Sequence, residues 1–357
     1  EARELAPQAP APVYLPITPK IDDARDVALS PDNAFFLVID WPTVKHVDTK
    51  TNTATRTYEG FSGPWGIDIS PDASFALVAD YNKGSIGHID LRTHQVSFPF
   101  PKEGIKTPAG VAIAPDASFA LFTNDRNNIG RIDLETNQVT FHYNDTGLDE
   151  PYGIAISPDS RHAVVANYGD YNIALIDLQA GEVSFPDAEF NTPAGVAFSP
   201  NGAQVLVASE GDNNITVIDI HSREVTFLRG FHEPTGVSVS RDGTYALVAN
   251  GIGDDKIARI KLSPHSSEEE EEAQAAKAVV APAPEIDSKF DIESYEFLLG
   301  GYPIDRDKYR FLDNIDKFKI GDLITDKQNI NIDHFKLGQN EINNLKDYAT
   351  AKPSMYQ

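Results

Sequence analysis

Pro64-Trp65-Gly66-Ile67-Asp68-Ile69-Ser70-Pro71-Asp72 is one copy of a phrase that returns through the first three-quarters of the chain. Further copies run from Pro108 to Asp116, Pro151 to Asp159, Pro193 to Asn201 and Pro234 to Asp242, and a degenerate first copy runs from Ala24 to Asp32. Counted at the proline before the final acidic or amide residue, they stand at 31, 71, 115, 158, 200 and, with Arg substituted, 241. The intervals are 40, 44, 43, 42 and 41 residues. A unit of that length cannot bury its apolar face alone, so a near-constant period marks a solenoid or a closed ring of like units.

Each period contains the same four segments. In the second copy Gly66–Ser70 alternates apolar and polar, and Pro71-Asp72-Ala73 is a turn. Phe75–Ala79 is an apolar run, Asp80–Ser85 a polar loop, Ile86–Leu91 a third strand, and Val96–Phe100 a fourth after the turn at Thr93-His94. Short β-branched and aromatic runs bounded by Pro, Gly, Asp and Asn read as strands and turns. The fold class is therefore all-β: a six-bladed β-propeller of four-stranded blades. The last unit ends at its third strand, Lys256–Leu262, and lacks an outer one. Val13–Thr18 precedes the first repeat at the matching distance and is expected to supply that strand, closing the ring without an exposed edge.

The repeats resemble the NHL and YVTN class of propeller repeats, including streptogramin-lyase-like ones, over residues 13–262. Thr107-Pro-Ala-Gly-Val-Ala-Ile-Ala-Pro-Asp116, followed by Asn128-Ile-Gly-Arg-Ile-Asp133, carries the resemblance best. It implies the fold more than an activity, since the class spans lyases, lactonases, sensor domains and protein-binding scaffolds.

Composition narrows the partners. The formal charge of -24 argues against nucleic acid and against an anionic membrane surface. No run of 18 apolar residues occurs, so no membrane span is expected. With no cysteine there are no disulfides or thiolate metal sites. The chain starts at Glu1 and passes into the Pro/Ala-rich stretch Ala6–Pro12, which reads as a processed or trimmed terminus. Together with the absence of cysteine, this points to an extracytoplasmic compartment: periplasm, exterior or an organelle lumen. Asn144 and Asn214 match the glycosylation acceptor triplet.

Four regions follow: an extension over 1–12, the propeller over 13–262, an acidic Ala/Pro linker over 263–287, and a tail over 288–357. Glu268–Glu272 repel one another and the prolines after them keep the linker extended. The tail reads as short helices and extended pieces with ten aromatics between Phe290 and Tyr356, against the aromatic-poor composition of disordered chains. It is expected to be a docking arm for a protein partner, with Phe290, Tyr295, Phe297, Tyr309, Phe311 and Phe318 as anchors, because each ring buries much apolar area with few rotors to freeze; the alternative is a small appended unit, or a tail packed on its own propeller.

Propeller topology brings two loop sets to one face. The residue after each repeat's first proline (Arg25, Trp65, Ala109, Tyr152, Ala194 and Thr235) should ring the channel mouth. Farther out lie the loops after the second strands, carrying Trp41, Tyr81, Asp125, Arg126, Tyr168, Glu210 and Asp212. Such an aromatic, amide-rich concavity suits a ligand or protein partner. The oxygen-rich set Asp80, Asn124, Asn167, Glu210 and Asn250 has the chemistry to hold a hard cation, and these positions are also the repeat's own strand ends. By the resemblance, lactonases hold a metal in the channel with Glu, Asn and Asp, and lyases use His on this face. No His or Glu occupies the ring positions here, so no cofactor and no catalytic residue are expected. The expected function is a non-catalytic scaffold or interaction subunit, attached to a larger assembly through its tail. The alternative is a propeller-type lyase or lactonase acting on a small molecule at the channel mouth, with Ca or Mg.

Overall fold

The second strands are continuous apolar runs, and such runs are stable only where both faces of a strand are covered. A computed structural model of the chain describes residues 11–262, except 126, 144–145, 187–189, 221 and 252–255. The linker, the tail with its six named anchors, and Arg126 and Asn144 lie outside the described residues. Within them, Phe36–Ile39, Ala76–Ala79 and Ala246–Ala249 are almost wholly buried. Six antiparallel four-stranded sheets form a ring, a six-bladed β-propeller. The second blade is typical: Pro64–Ile69 innermost, then Phe75–Asp80, Ser85–Asp90 and Val96–Ser97 at the rim.

The core lies between blades rather than within them. Leu37, Ile39, Val44, Tyr58 and Phe61 of the first blade pack with Ile67, Ile69, Ala76, Val78 and Ile89 of the second in one cluster. Corresponding clusters join the other neighbours, and the last of them runs from Tyr245 and Leu247 to Val27, Phe36 and Val38. Each blade is thus a layer that buries both faces, and the period of the sequence is the period of this stacking.

At the centre the inner strands abut so closely that only backbone fits. A Cβ on Gly195 would stand 2.6 Å from the Thr235 carbonyl oxygen and 2.8 Å from the Gly236 Cα. Gly66, Gly110 and Gly153 meet the backbone of the next blade in the same way, and Gly236 meets the Asp26 carboxylate and Cα, which explains the glycine of the phrase. In the first blade Asp26 takes this place.

The phrase's other half builds turns on the opposite face. Ser70 Oγ donates to Asp72 Oδ1 at 2.8 Å and accepts from the Ser74 and Phe75 amides at 3.0 Å. Ser30–Asp32, Ser157–Asp159, Ser199–Asn201 and Ser240–Asp242 repeat the Ser-to-Asx bond.

The ring closes through the N-terminal segment, but more briefly than its length suggests. Val13–Tyr14 pairs antiparallel with Lys256–Lys261, matching Val13 to Arg259 and Tyr14 to Ala258, and the Leu15 amide adds a bond to the Ile257 carbonyl at 2.8 Å. Pro16 has no N–H to continue the ladder. Thr18 instead bridges parallel to Thr53, the outer strand of the first blade. Val13–Thr18 is therefore a two-residue strand plus a clasp onto the next blade. Among the described residues no helix is long and apolar enough to cross a membrane. Asn214 of the second acceptor triplet is 5% exposed, with its Oδ1 bonded by Thr216 Oγ1 at 3.0 Å.

Candidate functional site: the channel and its mouth

The inner strands start at one face and end at the Ser-Pro-Asp turns, so the residue before each ring glycine stands at the channel entrance. Arg25, Trp65, Ala109, Tyr152, Ala194 and Thr235 all line the channel, whose volume is about 560 Å³. Three of them form an arc. The Arg25 guanidinium lies 4.7 Å from the Trp65 ring centre, and Trp65 meets Tyr152 edge-on at 5.7 Å and 87°. Tyr152 then stacks on Tyr168 at 4.7 Å and 22°, while Tyr81, 38% exposed, flanks Trp65 at 6.1 Å. Glu210 stands beside Tyr168, whose hydroxyl acts on its carboxyl. A continuous line of contacts thus runs from the first blade to the fifth.

Its electrostatics are negative on one side. Burial, then the Glu233 charge, raises the Glu210 carboxyl above its ordinary range, opposed by Arg25 and the Tyr168 hydroxyl. Burial raises Tyr152 and Tyr168 as well, with Glu210 and Glu150 adding to both. Arg25 is not a free cation: its Nη2 donates to Asp23 Oδ2 at 2.9 Å and its Nε lies 2.6 Å from Oδ1.

The remaining rim residues are dispersed. Trp41 is 43% exposed and takes no part in the stack. Asp125 pairs with Lys106 at 2.6 Å, and Asp212 accepts the Asn191 amide at 2.9 Å.

The oxygen-rich set read as a possible cation cage does other work. Asp80 accepts the amides of Ser62 and Gly63, Asn124 that of Lys106, Asn167 that of Asp149, and Asn250 that of His232. Each ties the loop entering an inner strand to the end of its own second strand. Asp40 does the same through the Asp22 and Asp23 amides and also pairs with Lys45. Glu210 is not a member: Ser209 pairs with Pro193 as Asp80 does with Pro64, which leaves Glu210 one position on and at the mouth.

Two channel carboxylates escape a reading based on loops. Asp26 and Asp68 lie on inner strands, each bridging to the following blade. Asp26 accepts from its neighbour Val27 at 2.8 Å and from Ile67 at 3.0 Å; Asp68 accepts from Ile69 at 2.8 Å and Ile113 at 2.7 Å. Desolvation, against those amides, pushes Asp26 up to about 7, with the Asp68 charge adding, and Asp68 up to about 6. Both line the channel, whose far end carries Arg241 in place of a turn proline. The one signal in the sequence was the failure of the first repeat to have glycine at position 26, with Asp68 standing where other repeats have Ala or Ser.

Comparison with solved structures supports the architecture. The chain is similar to a chain titled Kuenenia stuttgartiensis hydrazine synthase, with a TM-score of 0.55 and 16% identity over 70% of this chain and 99% of that one. At that identity the likeness shows the fold, a six-bladed β-propeller. No protein-family model and no curated protein matches.

Proposed function

We propose that the protein is a non-catalytic propeller of the NHL/YVTN type, an interaction subunit that recognises a ligand or protein partner at its channel mouth and joins a larger assembly through residues 288–357. The observation that carries this reading is the Arg25–Trp65–Tyr152–Tyr168–Glu210 arc. Stacked aromatics beside a concavity bury large area at low entropic cost, which suits recognition. The strand-end carboxylates and amides support it too, because loop amides already occupy them. A lyase or lactonase acting at the mouth is the second reading, and one observation favours it: Asp26, held near neutrality inside the channel, has the affinity for protons that a general base needs.

The test is recovery of a partner by the intact chain, by a chain lacking 263–357, and by Trp65→Ala. Removing the tail should abolish retention, and Trp65→Ala should weaken it by about 2 kcal/mol without loss of fold. Retention by both variants equal to that of the intact chain would overturn the proposal.

A further inference from the structure

The channel wall is asymmetric in a way that specifies a charge. Along one arc its inward positions are small: Gly110, Ala112, Gly153, Ala155, Gly195 and Ala197. On the other, Asp26 lies one residue and Asp68 three residues below the mouth positions Arg25 and Trp65. At roughly 3.3 Å per strand residue, they form an anionic lining between about 3 and 10 Å inside. Each carboxylate oxygen receives one backbone N–H, which leaves a lone pair on each for a further donor. The entrance above is aromatic, with Glu210 on the rim.

We propose that the channel takes an alkyl cation, a guanidinium or ammonium on an alkyl stem, which enters past the Trp65–Tyr152–Tyr168 stack and seats its charge against Asp26 and Asp68. This rests on reading the mouth as a recognition face. The stem packs on the rings, and the head gains attraction both from the aromatic faces and from carboxylates shielded from bulk water. Arg25 does not fill the role, since Asp23 and Trp65 hold it at the rim. A planar guanidinium suits the site best, because its fork of donors can bond two carboxylates at once. The cation has two sources, a free small molecule or an Arg side chain of a partner.

The experiment is calorimetric titration of the intact chain at pH 8 with butylguanidinium and with butylurea, its uncharged near-isostere, followed by capped Gly-Gly-Arg-Gly-Gly. Butylguanidinium should bind at least tenfold tighter than butylurea. Asp68→Asn, and independently Asp26→Gly, which restores the glycine of the other repeats, should each weaken it fivefold or more. Glu135→Gln, exposed on the opposite face, should leave it unchanged and so exclude a general charge effect. A peptide binding tenfold tighter than butylguanidinium identifies a partner's side chain as the source, and equal binding identifies a free cation; either supports the proposal. Equal affinity for butylurea, no heat with any cation, or indifference to both Asp variants in folded protein overturns it. If a partner still depends on Trp65 while butylguanidinium fails to bind, this inference falls and the recognition reading stands.

Discussion

Two sets of aspartates in one ring are pushed in opposite directions. On the turn face, Asp72 is held down to about 2 by hydrogen bonds from Ser74 and Ser70, and Asp32, Asp116, Asp159 and Asp242 are lowered for the same kind of reason. In the channel, Asp26 and Asp68 are raised by burial although each also accepts two amides. Asp32, Asp116 and Asp159 also accept two bonds each, so solvent decides: the turns face water, and the channel carboxyls are desolvated. A repeated residue that stabilises its own turn needs nothing from outside. A desolvated carboxylate that destabilises its own charge is a site for something that compensates it.

The largest effect should come from opening the ring, since the channel exists only while it is closed. Deleting residues 1–19 removes the Val13–Tyr14 strand and the Thr18 clasp, and should cost on the order of 3 kcal/mol or more. A deletion variant melting within a degree or two of the parent would refute closure by this segment. Next, Gly195→Ala forces a Cβ against the Thr235 carbonyl and should destabilise by about 3 kcal/mol. Gly202→Ala, in a turn at φ 72° with Pro158 no closer than 3.5 Å, should cost only about 1 kcal/mol. Equal costs would mean that the inner strands can give way and that the channel wall is not rigid.

Smaller and more diagnostic is the pH dependence. A carboxyl whose folded pKa is raised leaves the native state holding extra protons, so its favourable contribution is complete below about pH 4 and is lost as pH rises through the folded values of about 7 and 6. Asp26→Asn should remove part of that decline, raising the urea midpoint at pH 8 relative to pH 5 by an amount equivalent to about 2 kcal/mol. The turn aspartates carry the opposite sign. Asp72 stabilises above about pH 4 and loses its contribution as pH falls towards about 2. Asp72→Asn should therefore cost roughly 1 kcal/mol or less at pH 7 and progressively less as pH falls through about 2. If both variants respond to pH in the same direction, the contrast between the two regions is wrong.

The same contrast separates what was legible in the sequence from what was not. Blade number, strand order and the face carrying Arg25, Trp65 and Tyr152 follow from repetition, because a periodic phrase puts equivalent residues at equivalent places. What depends on register or on neighbours did not follow. Glu210 and Ser209 differ by one position, and only the pairing with Pro193 shows that Ser209 holds the strand-end place, while the loop amide of Asn191 goes to Asp212. Val13–Thr18 reads as a full strand, yet Pro16 interrupts it and Thr18 finds a different blade. Asp26 and Asp68 break the repeat with nothing in the local sequence to mark their role, because their cross-blade partners Ile67 and Ile113 are 41 and 45 residues away on adjacent blades.

The most direct test of the division between mouth and turns is the affinity for a retained partner of the intact chain, of Trp65→Ala and of Asp72→Asn, measured by titration under conditions where all three are folded. The account predicts a loss of about 2 kcal/mol, some thirtyfold, for Trp65→Ala and an affinity within twofold of the parent for Asp72→Asn. Unchanged binding by Trp65→Ala, or a loss confined to Asp72→Asn, would place recognition on the opposite face and contradict it.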